Sequence, residues 1–141
     1  MNRAKLPPRW LRDFLPLLAW LAVIFFLSSR SVLVNIDNEA GEKLFYKTAH
    51  MLAFALLAWL WWRAITPRRT AGWPVFVAAL GLTVLYGISD EIHQYFVPGR
   101  HARLADVLFD TGGALAMILL LRKFEWLRHF PEKFVFQPQL C

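Results

Sequence analysis

The sequence predicts an all-α membrane protein: a compact bundle of four transmembrane helices joined by short loops, with both termini cytoplasmic. Three observations carry that prediction. Of 141 residues, 57% are hydrophobic, including seven Trp and twelve Phe, which is too apolar for most soluble chains of this length. The charged residues gather between four apolar runs instead of spreading over a surface. The basic residues also alternate between the two sides of those runs, as they do in multi-pass proteins.

The first run covers residues 14–29 and follows a basic start with Arg3, Lys5, Arg9 and Arg12, in which Pro7-Pro8 hold off an earlier helix. A basic start before an apolar run also describes a signal peptide. Here the run ends Ser28-Ser29-Arg30-Ser31 without an Ala-x-Ala-like site, so it is read as a spanning helix, with Trp10 and Trp20 as interfacial or packing aromatics. The stretch 32–41 is polar and rich in Asn, Asp and Glu, and is expected to be a loop on the far side, with helix resuming near Glu42.

The second run, 44–62, carries Lys47 and His50 in its first turns, three residues apart and hence on one face. Trp59, Trp61 and Trp62 at its end suggest an interfacial belt, and Arg63, Pro67, Arg68 and Arg69 close it. The third, 73–92, tolerates Pro74 in its first turn and offers Gly81 and Gly87 for close helix contact. The fourth, 104–121, holds Asp106 and Asp110 one turn apart, with Gly112-Gly113 beyond them. Residues 122–141 form a basic, aromatic tail suited to a membrane surface, and the whole chain 1–141 reads as one membrane domain.

Between the third and fourth runs stands Ser89-Asp90-Glu91-Ile92-His93-Gln94-Tyr95-Phe96-Val97-Pro98-Gly99-Arg100, a block of charge set against apolar helix. Such groups cost several kcal/mol there unless paired, hydrated or used. Eleven of the sixteen Lys and Arg fall on one side of the spans (Arg3, Lys5, Arg9, Arg12, Arg63, Arg68, Arg69, Arg122, Lys123, Arg128, Lys133) and five on the other (Arg30, Lys43, Lys47, Arg100, Arg103). The richer side is cytoplasmic by the positive-inside rule. Helix direction then brings the start of the second helix, the end of the third and the start of the fourth together near the outer leaflet.

That layer holds Lys47, His50, Asp90, Glu91, Gln94, Arg100, Asp106 and Asp110. His50, Asp90, Glu91 and Asp106 are candidates for acid–base or orienting roles; Lys47, Gln94, Arg100 and Asp110 are candidate ligand-binding residues. Lys47 and Arg100 are natural counter-charges for the four carboxylates. On the plainer reading Asp90 and Glu91 are hydrated residues at a helix end, and Lys47 and His50 reach outward to headgroups.

Other chemistries find less support. His50, Glu91, His93 and Asp106 have ligand types suited to zinc or manganese but lack a His-Glu-x-x-His helix or comparable spacing, so no metal or other cofactor is expected. Ser89 and Thr111 stand beside acids without a Gly-x-Ser-x-Gly elbow. The net charge of +6 comes without a basic stripe or stacking aromatics on a soluble fold, so nucleic acid is not expected as a partner. Cys141 is the single cysteine and allows no internal disulfide.

Lys47-x-x-His50, Asp90-Glu91-x-x-Gln94-x-Phe96-x-Pro98-Gly99-Arg100 and Asp106-x-x-x-Asp110-x-x-Gly113, in four short spans, resemble the VanZ-like family of bacterial membrane proteins over about residues 17–121. The chain departs from that pattern at Asp110, Arg103 and Met117, where Asn, a small polar residue and Gly are usual in the family. The resemblance implies a multi-pass protein of the bacterial inner membrane, related to proteins that confer low-level resistance to the glycopeptide teicoplanin. Membrane lipids, a cell-wall precursor or another anionic amphiphile are the partners expected for its polar pocket. Two further readings stay open: a small proton- or ion-coupled transporter, and a structural module in which the polar groups lock the bundle.

Overall fold

A computed structural model describes residues 8–30, 38–66, 72–100, 103–125 and 127–128. These form four helices in chain order: α1 (Arg9–Ser28), α2 (Glu39–Ile65), α3 (Trp73–Tyr95) and α4 (Leu104–Lys123). No strand occurs among the described residues. All four helices are long and apolar enough to cross a membrane, the shortest having 20 residues, about 30 Å at 1.5 Å per residue.

The helices outrun the apolar segments that announce them. α1 begins directly after Pro8, whose carbonyl accepts from the Leu11 and Arg12 N–H groups. α2 starts at Glu39, so residues 39–41 are helical and not loop; the Asn38 side chain caps the helix by accepting from Ala40 N at 3.0 Å. Of the rest of that expected loop, residues 32–37 lie outside the described residues, as does most of the tail. Polar residues at these ends are compatible with helix because their side chains sit at its first turns, where capping partners and water are available.

α2 is the central element. It packs most extensively on α4, also on α3 and α1, while α1 only touches α3. One apolar cluster joins Ala58 and Trp62 of α2, Phe76 and Ala79 of α3, and Ala114, Ile118 and Leu121 of α4. A second joins Leu17 and Ile24 of α1 to Phe54, Leu57, Leu60 and Ala64 of α2. Trp62 is fully buried and stacks on Phe76 at 6.4 Å between ring centroids, so it is a core residue and not part of an interfacial belt. Outward, large apolar side chains such as Phe26, Leu85, Ile92, Leu108 and Leu119 are exposed on every side of the bundle, as befits a surface solvated by lipid.

Two glycines let the helices approach closely. A Cβ on Gly113 would lie 2.1 Å from the Met51 carbonyl oxygen, and one on Gly87 would lie 3.2 Å from Phe54 Cε1. Gly81 and Gly112 have nothing within 4 Å at that position, so the helix-contact role expected for Gly81 is not found.

α1 is fastened by polar contacts as well. Trp20 Nε1 donates to the Ala53 carbonyl at 3.0 Å and the Tyr86 hydroxyl to the Leu21 carbonyl at 2.7 Å. Pro16 lies inside α1 and lacks the N–H that would bond to the Arg12 carbonyl. Arg63 of α2 takes that place, its Nη2 donating to Arg12 O at 3.0 Å while its Nε meets Asp13 Oδ1 at 3.0 Å. Both Asp13 and Arg63 are buried.

The large α2–α3–α4 cluster uses the second half of α2, the first half of α3 and the second half of α4. The opposite end of the bundle is therefore free of it. That end is where the polar residues converge.

Candidate functional site

At this end α2, α3 and α4 line a cavity of about 330 Å³. α2 contributes Glu42, Lys43, Tyr46, Lys47 and His50; α3 contributes Glu91 and Gln94; Arg100 and Arg103 come from the connection; and α4 contributes Asp106, Phe109 and Asp110. Seven of the eight residues singled out from the sequence thus line one space. Asp110, three residues before Gly113 and its close approach to Met51, is the deepest residue that α4 contributes by sequence.

The connection from α3 to α4 is shaped for this purpose. Val97-Pro98-Gly99-Arg100 is a tight turn closed by Arg100 N to Val97 O at 3.1 Å, with Gly99 at φ 82°. Pro at the first central position and Gly at the left-handed second one are the residues that a type II turn requires. Glu91 then sets where α4 starts: its Oε2 accepts from Arg103 N at 2.8 Å, placing a carboxylate at a helix N-terminus, where the dipole favours it.

Arg100 is held from two sides. Its Nε donates to the Arg30 carbonyl at 2.9 Å and its guanidinium lies 5.7 Å from the centre of the Tyr46 ring. Its Nη2 is buried without a hydrogen-bond partner. Lys47 extends over the Phe109 ring at 4.2 Å. The side chain that meets Asp110 is instead His50, whose Nδ1 stands 3.5 Å from Asp110 Oδ1. The expectation that Lys47 and Arg100 serve as the direct counter-charges of the acids is corrected accordingly: each is engaged elsewhere by a ring or a carbonyl.

The His50–Asp110 contact is an electrostatic one. At 3.5 Å it lacks the alignment of a hydrogen bond, and both Asp110 oxygens, with the carboxylate 97% removed from solvent, accept none. Such an arrangement is costly in an apolar helix unless a further donor is supplied.

Asp90 is the residue that the fold sends elsewhere. It turns toward α1, where its Oδ2 accepts from Ser28 Oγ at 2.8 Å and from Gln94 Nε2 at 2.8 Å. One residue along a helix rotates a side chain by about 100°, which separates Asp90 from its neighbour Glu91. His93 also faces α1, with Nε2 3.0 Å from Ser29 Oγ and its ring 4.4 Å from that of Phe25. Among the described residues no group of three or more His, Cys, Asp or Glu is placed to hold a metal ion, and His93 stands apart from His50, Glu91 and Asp106.

A family model described as VanZ/LLP1 matches residues 10–128. The chain belongs to the VanZ/LLP1 family. Comparisons with curated proteins and with solved structures give no match. As a VanZ/LLP1 member with four apolar helices, it is a multi-pass membrane protein.

Sequence reasoning passed over Glu42, Lys43, Tyr46, Arg103 and Phe109 as lining residues of this VanZ/LLP1 cavity. The signal for most of them was present. Extending the face of Lys47 and His50 backward by three and four residues reaches Lys43 and Tyr46, and one further step reaches Glu42. Phe109 lies three residues after Asp106 on the same footing.

Proposed function

We propose that this protein binds the charged headgroup of a lipid or cell-envelope precursor in the cavity between α2, α3 and α4, on the extracytoplasmic side of a bacterial inner membrane. The observation that carries the reading is one cavity that gathers Lys47, His50, Glu91, Arg100, Asp106 and Asp110 at one end of the bundle. The excess of Lys and Arg at the other helix ends supports the outward placement. Arg100, with a buried and unpartnered Nη2, supplies directed hydrogen bonds to a phosphate, and Lys47 a compact positive charge.

Labelled phospholipids and lipid-linked wall precursors titrated onto the purified full-length chain test this. Arg100→Ala is expected to weaken binding by about tenfold or more, the loss of one charge-assisted hydrogen bond or two. Equal affinity of wild type and variant would remove Arg100 from the site. The reading extends to teicoplanin: expression in a sensitive bacterium is expected to raise tolerance with wild type and not with Arg100→Ala.

A second reading is favoured by His50 at 3.5 Å from Asp110 inside the bundle, an arrangement suited to passing protons. Liposomes carrying the protein would then show a proton flux that Asp110→Asn abolishes. Membranes that remain tight with wild type dispose of this reading.

A further inference from the structure

The cavity is not simply cationic: Glu42 of α2, Glu91 of α3 and two acids of α4 line it together with its cations. The only charged residues that α4 contributes are acids, Asp106 and Asp110, whereas the cations Lys43, Lys47, Arg100 and Arg103 come from α2 and the α3–α4 connection; of the other acids, Glu91 is engaged by the Arg103 amide and Glu42 stands beside Lys43 in sequence. An anionic headgroup alone would satisfy the cations and leave the α4 wall facing added negative charge. Asp110, 2% exposed, meets His50 Nδ1 at 3.5 Å but accepts no hydrogen bond at either oxygen among the described residues, and so calls for a donor; Arg100 Nη2, buried and likewise without a hydrogen bond, calls for an acceptor. The two demands arise in the same space.

A second, smaller cavity of about 80 Å³ adjoins the first and is lined chiefly by apolar side chains of α1 and α2, including Ile24, Leu27, Ala53 and Phe54. The two share Tyr46, His50 and Arg100 as a common wall. The order across the site is therefore acids on α4, then Arg100, then an apolar recess toward α1. A lipid whose headgroup ends in an amine has the same covalent order: ammonium, phosphate, chain.

The geometry points to a zwitterionic amphiphile as the ligand, its ammonium toward Asp106 and Asp110, its phosphate on Arg100, and the first methylenes of its chain in the recess between α1 and α2. This rests on the headgroup-binding reading and specifies its chemistry. Opposite charges inside a low-dielectric site attract far more strongly than in water, so the acid wall discriminates against a headgroup that lacks the cation.

The test uses the full-length chain in detergent and measures affinity for short-chain phosphatidylethanolamine, short-chain phosphatidylglycerol and soluble phosphoethanolamine. Phosphatidylethanolamine is expected to bind about tenfold more tightly than phosphatidylglycerol, and phosphoethanolamine more weakly than either for want of a chain. Asp106→Asn, at a half-buried position that tolerates the change, and Asp110→Asn should bring the two lipids to about equal affinity, whereas Arg100→Ala weakens both. Equal or tighter binding of phosphatidylglycerol by wild type overturns the proposal while leaving headgroup binding intact. So does a preference for phosphatidylethanolamine that survives in Asp106→Asn. Tight binding of soluble phosphoethanolamine would overturn the chain recess, and failure of both lipids to bind would remove headgroup binding itself.

Discussion

Gly113→Ala is expected to separate α4 from α2 and to remove most of the folded protein from a detergent extract. The added methyl carbon would stand 2.1 Å from the Met51 carbonyl oxygen and 2.8 Å from its carbonyl carbon, distances that only backbone movement can relieve. Overpacking against side chains costs about 1–3 kcal/mol because side chains can yield. A helix carbonyl in the most extensive interface of the bundle cannot, so the cost lies at or above the top of that range. Gly112→Ala is the control: nothing lies within 4 Å of its Cβ, and alanine is the better helix former by about 1 kcal/mol. Thermal midpoints and size-exclusion profiles of the two variants make the comparison. A Gly113→Ala protein as stable as Gly112→Ala would show that the helices are not held at this distance.

The second large effect is expected at the other end of the molecule. Asp13→Ala leaves the Arg63 guanidinium buried without its carboxylate, and breaking a buried pair in this way costs about 3–5 kcal/mol. Replacing both members with apolar residues, Asp13→Leu with Arg63→Met, should recover part of the loss, since neither charge then stays uncompensated. Recovery stays incomplete for a specific reason. Arg63 also donates to the Arg12 carbonyl left open by Pro16, and an unmet buried acceptor costs about 1–3 kcal/mol. Denaturant midpoints for the single and double variants separate the two contributions. A single variant that loses under 1 kcal/mol would mean that water reaches the pair in the membrane.

These two sites also mark where reading the chain reaches its limit. Pro16 in a spanning helix signals a freed carbonyl, but nothing near it says that an arginine 47 positions later (63 − 16) will meet it. Asp13 looks like one more polar residue before an apolar run. Gly113 could be suspected of packing, and so could Gly81 and Gly112; only the facing atoms separate the one that cannot carry a Cβ from the two that can. The tryptophans behave alike. Their position at the end of α2 suits a membrane interface, and the stacking of Trp62 on Phe76 overrides it because an indole placed against a neighbouring helix gains more by burial.

By itself the sequence determined the number and order of the helices, because four apolar runs long enough to cross a bilayer leave the backbone no other way to satisfy its hydrogen bonds. It also determined which helix ends share a side, since direction alternates with each crossing, and that brought Lys47, His50, Glu91, Gln94, Arg100, Asp106 and Asp110 to one end of the bundle. Only the tertiary structure decided how those residues pair. Helix rotation turns Asp90 to Ser28 and Glu91 to the Arg103 amide, and close packing at Gly113 sets His50 against Asp110. Rotation about a helix axis is fixed by the sum of many apolar contacts with neighbouring helices, and no local pattern in the chain records that sum.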